Sequence, residues 1–266
     1  KNVTQEIYDL KIKNSAEVIR DLAVDVLGLC EVENKNVLND LNNAFEDREY
    51  KIIHYESPDE RGIDNALLYD PKKFELISSK PIVNFLGGDD KTRDILYVKG
   101  TFNRSLIHIF VNHWPSNYGG KKKAIPKRNS TARLLMAEVE QIRRIEEEPN
   151  IILLGDFNED PDEQNVELLG NIGLTSLMAD MVGKNGISTY IYRGTDYLYD
   201  QIIVSEEVLN KKGVTIADSS LYILDLPKYR QQEGKYKNYP FRFWAGDRLL
   251  GGYSDHLAIK VDLILN

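Results

Sequence analysis

PNIILLGDFNEDP, residues 149–161, sets four consecutive apolar residues, Ile151 to Leu154, almost directly against Asp156, Asn158, Glu159 and Asp160. A short apolar run bounded by turn-forming residues reads as a buried β-strand. An Asx turn before EDPDE would account for Asp156 and Asn158 without chemistry. The neighbouring strands argue otherwise, because several of them end in the same way.

Short β-rich runs fill much of the chain: residues 25–31, 50–56, 65–70, 74–79, 94–102, 105–114, 151–156, 199–205 and 256–265. The apolar run VLGLC closes on Glu31, and IHIFV closes on Asn112 and His113. Two others begin on polar groups: YDQIIV at Asp200, and SDHLAIKV at Ser254, Asp255 and His256. Antiparallel neighbours set one strand's end beside the next strand's beginning, so all five clusters converge on one rim. Helical spacing of Ile12, Ala16, Ile19 and Ala23 predicts a helix over about 6–22. Ala132, Leu135, Met136, Val139 and Ile142 predict a second over about 129–147. Many strands with few helices predict an α/β protein with two packed, mainly antiparallel sheets and helices outside.

The chain has 266 residues, 42% hydrophobic and 29% charged, and neither a repeat nor a long linker, so one domain over 1–266 is expected. No apolar run approaches the roughly 20 residues of a membrane span, and no signal-peptide pattern opens the chain. A soluble monomer is expected, cytoplasmic or exported. The single cysteine, Cys30, rules out an internal disulfide and a thiolate-based metal site. A net charge of −8 argues against coating nucleic acid by bulk attraction. It leaves room for a local basic groove or a metal-bridged phosphate.

Four carboxylates on one rim, Glu31, Asp156, Asp200 and Asp255, repel unless a cation compensates. With His113 and His256 beside them, an oxygen-rich set suits Mg2+, with Mn2+ or Ca2+ as alternatives, better than zinc. Phosphate-ester hydrolysis is the natural chemistry of that set.

GLCEVEN, VNHWPS, ILLGDFN, YDQIIVS and GGYSDHLAIKVDL, in this order, resemble the endonuclease/exonuclease/phosphatase superfamily, and NHWPS resembles its bacterial members. The resemblance implies a four-layered α/β sandwich, a divalent-metal site and in-line attack of water on a phosphodiester or phosphomonoester. It makes Glu31 and Asp255 metal ligands, His256 the histidine at the scissile phosphate and Asp200 its orienting acid. Asp156 and Asn158 become the pair positioning the attacking water and a phosphate oxygen. Either Asp156 or His256 takes the proton. His113 becomes a general acid or phosphate ligand, Arg61 and Arg93 forks onto phosphate, and Asp64 a partner for His113. Asn112 and Ser116 join the substrate contacts. Trp114, Tyr118 and Tyr253 either stack on a base or sugar or pack in the interior.

KKKAIPKR, residues 121–128, reads either as a solvated loop or as a phosphate grip beside His113. Residues 235–253 read as a mobile loop over the site or as a satellite cluster. Family members open with an apolar strand ending in Asn. This chain begins KNVTQEIYDLK, already at its first helix, and Asn2 is a poor substitute, so either that strand lies upstream of residue 1 or another segment fills its place. A nuclease on DNA or RNA is the leading expectation. The alternatives are a phosphatase or phosphodiesterase acting on a lipid headgroup or small phosphoester, and a weakly catalytic relative that binds phosphate ligands.

Overall fold

A computed structural model of the chain describes residues 2–265 except 47, 88–89 and 211–212. In chain order the elements are α1 (Gln5–Leu22), β1 (Val26–Val32), α2 (Lys35–Asn43), β2 (Lys51–His54), β3 (Asp64–Tyr69), β4 (Phe74–Ile82), β5 (Ile95–Phe102) and β6 (Ser105–His113). Then come α3 (Lys121–Arg143), β7 (Asn150–Asp156), α4 (Gln164–Gly170), β8 (Leu174–Ser176), β9 (Tyr190–Tyr192), β10 (Thr195–Tyr197) and β11 (Asp200–Ser205). The last are α5 (Glu206–Leu209), β12 (Val214–Ile216), β13 (Tyr222–Ile223), β14 (Trp244–Ala245), β15 (Arg248–Leu249), β16 (Ile259–Lys260) and β17 (Leu263–Leu265).

The larger sheet has the order β4-β5-β6-β7-β11-β8, and the smaller β1-β3-β2. Among the described residues every strand pairing is antiparallel except β6 with β7. Parallel neighbours need a crossover, and α3 supplies it. Both faces of the large sheet are buried, which explains the unbroken apolar run in β7. Ile152 packs with Ile109, Val111 and Ile202 toward the smaller sheet. Ile151 and Leu153, one residue out of phase, pack with Ala132, Leu135 and Val139 of α3. A third cluster joins Ala16, Ile19 and Leu22 of α1 to Leu27, Ala66 and Leu68. Helices, small sheet, large sheet and helices thus form four layers.

Three expectations need correction. The second helix begins at Lys121, so KKKAIPKR is its first two turns, with Pro126 inside it. Arg128 in that stretch is fully buried, with Nε donating to Glu159 Oε1 at 2.8 Å and a terminal nitrogen donating to Pro115 O at 2.9 Å. It is a structural cation and grips no phosphate. The strand expected over 256–265 is two short pieces, because β16 pairs with β13 whereas β17 pairs with β12. Residues 235–253 hold the β14–β15 hairpin, tied to α1 where Asn14 Nδ2 donates to Gly251 O and Gly252 O.

Among the described residues β1 pairs with β3 alone. A cavity of about 740 Å3 separates its other edge from residues 253–263. Val26, Leu29, Ile109, Leu154, Ile202 and Leu257 line it, α1 covers it through Val18 and Leu22, and polar side chains from several strand ends crowd one end.

Candidate active site

The register of three adjacent strands builds the centre of the site. His113 is the parallel partner of Asp156, and Asp156 the antiparallel partner of Asp200, so the three stand side by side at one sheet edge. Gly155 permits the approach. Its φ is +126° and a Cβ there would lie 2.0 Å from Asn112 O, which no other residue tolerates.

His256 enters from the segment after β15, and its Nδ1 lies 2.7 Å from Asp200 Oδ2. Burial pulls its pKa down, but the charge and hydrogen bond of Asp200, joined by Asp156 and Asp255, outweigh that and raise it well above the ordinary imidazole value. That balance favours the charged imidazole, with Nδ1–H donating to Asp200 Oδ2. His113 behaves oppositely: burial, then Arg93, His256 and Arg61, hold its pKa far below the usual value. It is a neutral imidazole with Nε2 3.5 Å from Asp156 Oδ2, and its buried Nδ1 has no partner among the described residues.

Asp156 is 8% exposed, and burial followed by the neighbouring Asp200 raises its pKa against the opposing charge of His256. Asn158 holds it: the backbone N–H donates to Oδ1 at 2.8 Å and Nδ2 to Oδ2 at 3.0 Å. Asn158 sits at φ +51°, a left-handed conformation that Asn tolerates better than most residues. Both donors serve Asp156, so Asn158 orients that carboxylate.

Glu31 and Asp255 stand on the same cavity. Glu31 is exposed, with φ +60° and Arg61 at 3.6 Å; Asp255 has Arg242 at 3.7 Å. The Lys11 ammonium, donating to Tyr253 O at 2.6 Å, lies in the field of both carboxylates. Among the described residues no group of three His, Cys, Asp or Glu side chains is close enough to hold a metal. Mg2+ keeps several waters and takes one or two carboxylates plus substrate oxygens. Glu31 and Asp255, oxygen donors on that cavity and loosely paired with arginine, are the residues that would hold such an ion.

Several expected substrate contacts lie elsewhere. Trp114 is fully buried against Phe157, with Nε1 donating to Asn112 Oδ1 at 3.2 Å. Asn112 is equally buried and donates to Phe110 O. Neither reaches a substrate. Arg93 is 5% exposed and spends its terminal nitrogens on Asp59 Oδ2, His113 O and Trp114 O, so it braces the β6 end and forks onto no phosphate. Asp64 pairs with His54 at 2.8 Å and accepts from Ser57, leaving none of its bonds for His113. Ser116 accepts from Tyr118 N, and the Tyr118 ring stands open to solvent. Tyr253 donates to Glu17 Oε2 and packs edge-on against Tyr229, although it lines the cavity. Arg61 remains at the rim beside Glu31.

Sequence reading missed Asp59, which accepts from Arg93 and from the Arg61 backbone N–H. It missed Thr189, whose Oγ1 accepts from Asp200 N at 3.1 Å and whose carbonyl accepts from Leu257 N, tying two site segments together. It also missed Tyr190, whose ring stacks on His256 at 4.6 Å.

A strand-edge row of two carboxylates and a histidine, with His256 held by Asp200 beside it, therefore stands at one edge of a two-sheet α/β sandwich. Residues 1–264 match the Endonuclease/Exonuclease/phosphatase family, and the chain belongs to it. Solved structures agree on the fold. D. rerio TDP2 complexed with single strand DNA product is 14% identical, with a TM-score of 0.64, covering 97% of this chain and 92% of that one. The human Nocturnin catalytic domain with bound sulfate anion is 18% identical, with a TM-score of 0.62, covering 99% and 87%. The endonuclease/exonuclease/phosphatase from Bacteroides vulgatus is 17% identical, with a TM-score of 0.64, covering 97% and 92%. No curated protein matches the chain.

Proposed function

We propose that this chain is a Mg2+-dependent phosphodiesterase acting on nucleic acid. The observation that carries the reading is the row His113, Asp156 and Asp200 in register across three strands, with His256 held by Asp200. Glu31 and Asp255 would hold the ion, which when bound supplies Lewis-acid polarisation of a phosphoryl oxygen. Asp156 is the base. A carboxylate whose pKa burial lifts toward neutrality suits proton removal from water at physiological pH. His256, already protonated, donates from Nε2 to the phosphoryl oxygens as negative charge develops there. His113, neutral and with Nδ1 unpaired, offers a further contact to substrate. A nucleic-acid substrate is supported by the fold shared with a TDP2 that was solved with a single-stranded DNA product.

The test is cleavage of plasmid DNA, a single-stranded oligonucleotide and a small aryl phosphodiester with Mg2+, with chelator and with Asp156→Asn. DNA cleavage lost in both controls supports the reading. Cleavage of the small diester alone moves the substrate to a small phosphoester or lipid headgroup. A folded protein silent on all three overturns hydrolysis.

The open edge of β1 is, in the same reading, the seat of one more strand. Lys11, in the first half of α1, lies with Glu31 and Asp255, and the end of α1 feeds β1. A strand ahead of α1 and parallel to β1 would complete a right-handed crossover unit. Joining an apolar strand there should raise Tm; an unchanged Tm overturns it.

A further inference from the structure

The hairpin of β9 and β10 carries aromatic rings that the proposed chemistry does not use. Tyr190 and Tyr192 are two residues apart and share a face. Tyr197 is the cross-strand partner of Tyr190, and Tyr199 follows two residues later. The rings are in contact: Tyr190 lies 6.5 Å from Tyr192, 6.4 Å from Tyr197 and 5.5 Å from Tyr199, and Tyr197 lies 4.7 Å from Tyr199. The ladder starts on the His256 ring, stacked with Tyr190 at an interplanar angle of 26°, and reaches solvent at Tyr192, which is 49% exposed.

Two properties distinguish this ladder from core packing. Among the described residues the phenol oxygens of Tyr190, Tyr192 and Tyr197 make no hydrogen bond, whereas Tyr199 accepts from Asn117 Nδ2 and is buried. The hairpin is also fixed to the site, since Thr189 N donates to Tyr197 O and Tyr190 bridges to His256. Cations flank it: the Arg193 guanidinium lies 5.2 Å from the Tyr192 ring, and Arg242 acts on Tyr190 from the Asp255 side.

We propose that the Tyr190–Tyr192–Tyr197 face is a stacking platform for an unpaired nucleobase next to the scissile phosphate, making single-stranded nucleic acid the preferred substrate. This rests on the phosphodiesterase reading above. Bases stack on aromatic rings whatever their sequence, and phosphates pair with flanking Arg. Ring faces that reach solvent, with a guanidinium beside them, suit a planar base joined to a phosphate.

The experiment is fluorescence anisotropy in chelator, where no hydrolysis occurs. A labelled ten-nucleotide oligothymidylate is compared with an abasic oligomer of equal length. The wild type binds the base-bearing strand more tightly. Tyr192→Ala weakens that binding roughly five- to a hundredfold, the loss of one stacked base. It leaves the abasic strand unchanged, and Tyr192→Phe restores the wild-type value. Equal affinity of the wild type for both strands, absence of binding to both, equal weakening of both by Tyr192→Ala, or failure of Tyr192→Phe overturns the proposal. Cleavage is then measured separately with Mg2+. A platform that discriminates in binding while no substrate is cut removes the hydrolase reading and the substrate preference built on it, and leaves base stacking alone standing.

Discussion

Replacing Asp200 by Asn tests whether His256 works as a cation. The contact is 2.7 Å between Nδ1 and Oδ2. At an effective dielectric constant near 20 such a pair interacts by about 4 kcal/mol. At ~1.4 kcal/mol per tenfold, that corresponds to roughly three pH units of imidazole pKa. In Asp200→Asn the burial of His256, which already opposes its charge, is left facing only Asp156 and Asp255. The pKa should fall to about the ordinary imidazole value or below. An NMR titration of the His256 ring from pH 5 to 9 reads this directly: protonated at pH 8 in the wild type, neutral at pH 8 in the variant. Activity at pH 8 should fall on the order of a hundred- to a thousandfold, mainly in kcat. An imidazole that stays protonated at pH 8 in the variant would refute the assignment of Asp200 as the source of its charge. A neutral ring with unaltered kcat would refute the electrostatic role of His256.

Glu31→Gln should raise the Mg2+ concentration for half-maximal activity on the order of ten- to a hundredfold, measured by metal titration; unaltered Mg2+ dependence would move the ion elsewhere. Arg128→Met strands the buried Glu159 carboxylate, to which Arg128 and Asn165 donate. Urea unfolding should show a loss of about 3–5 kcal/mol, and a loss under 1 kcal/mol would mean that water reaches Glu159. His108 is 1% exposed, bonded to Tyr97 and Glu146, and burial holds its pKa below the ordinary value against the pull of Glu146. Below about pH 6.5 the unfolded chain takes up a proton that the folded chain refuses, so this stabilisation is full above that pH and lost as pH falls toward the folded pKa. The stability deficit of His108→Gln relative to wild type should therefore shrink between pH 7 and pH 5. A deficit independent of pH would show that His108 titrates alike in both states.

The strand-borne part of the site was legible because burial and chemistry leave opposite marks on one strand. In β7 both faces are covered, so four apolar residues run without alternation. Where the sheet edge is reached the pattern switches at once to Gly155, Asp156 and Asn158. The same switch marks Asn112 and His113 on β6 and, in reverse, Asp200 on β11. What the switch cannot mark is depth. Trp114 and Asn112 flank His113 in sequence yet lie in the core, because the chain turns inward after β6 and Trp114 N donates to Asp156 O. Arg93 and Arg128 illustrate the same limit from the charged side. A guanidinium reads as a surface or substrate group until the structure supplies its carboxylate and carbonyl acceptors.

The elements that escaped the sequence are those whose partner is far along the chain and whose own pattern is weak. KKKAIPKR looked like a loop because its lysines and Pro126 mask helical spacing. Only Ala124 and Arg128, four residues apart, face inward there. The tyrosines of β9 and β10 gave no signal because three-residue strands carry too little alternation to separate a solvent-facing hairpin from a rim platform. Their position follows from contacts that no local pattern encodes: the bridge from Tyr190 to His256, 66 residues later, and the pairing of Leu257 N with Thr189 O. The division has a functional logic. His113, Asp156 and Asp200, proposed to act on the phosphate or through His256 on it, stand on long core strands that hold them accurately. The groups proposed to choose what is attached to that phosphate sit on a short hairpin, which can change its rings without disturbing the register of β6, β7 and β11.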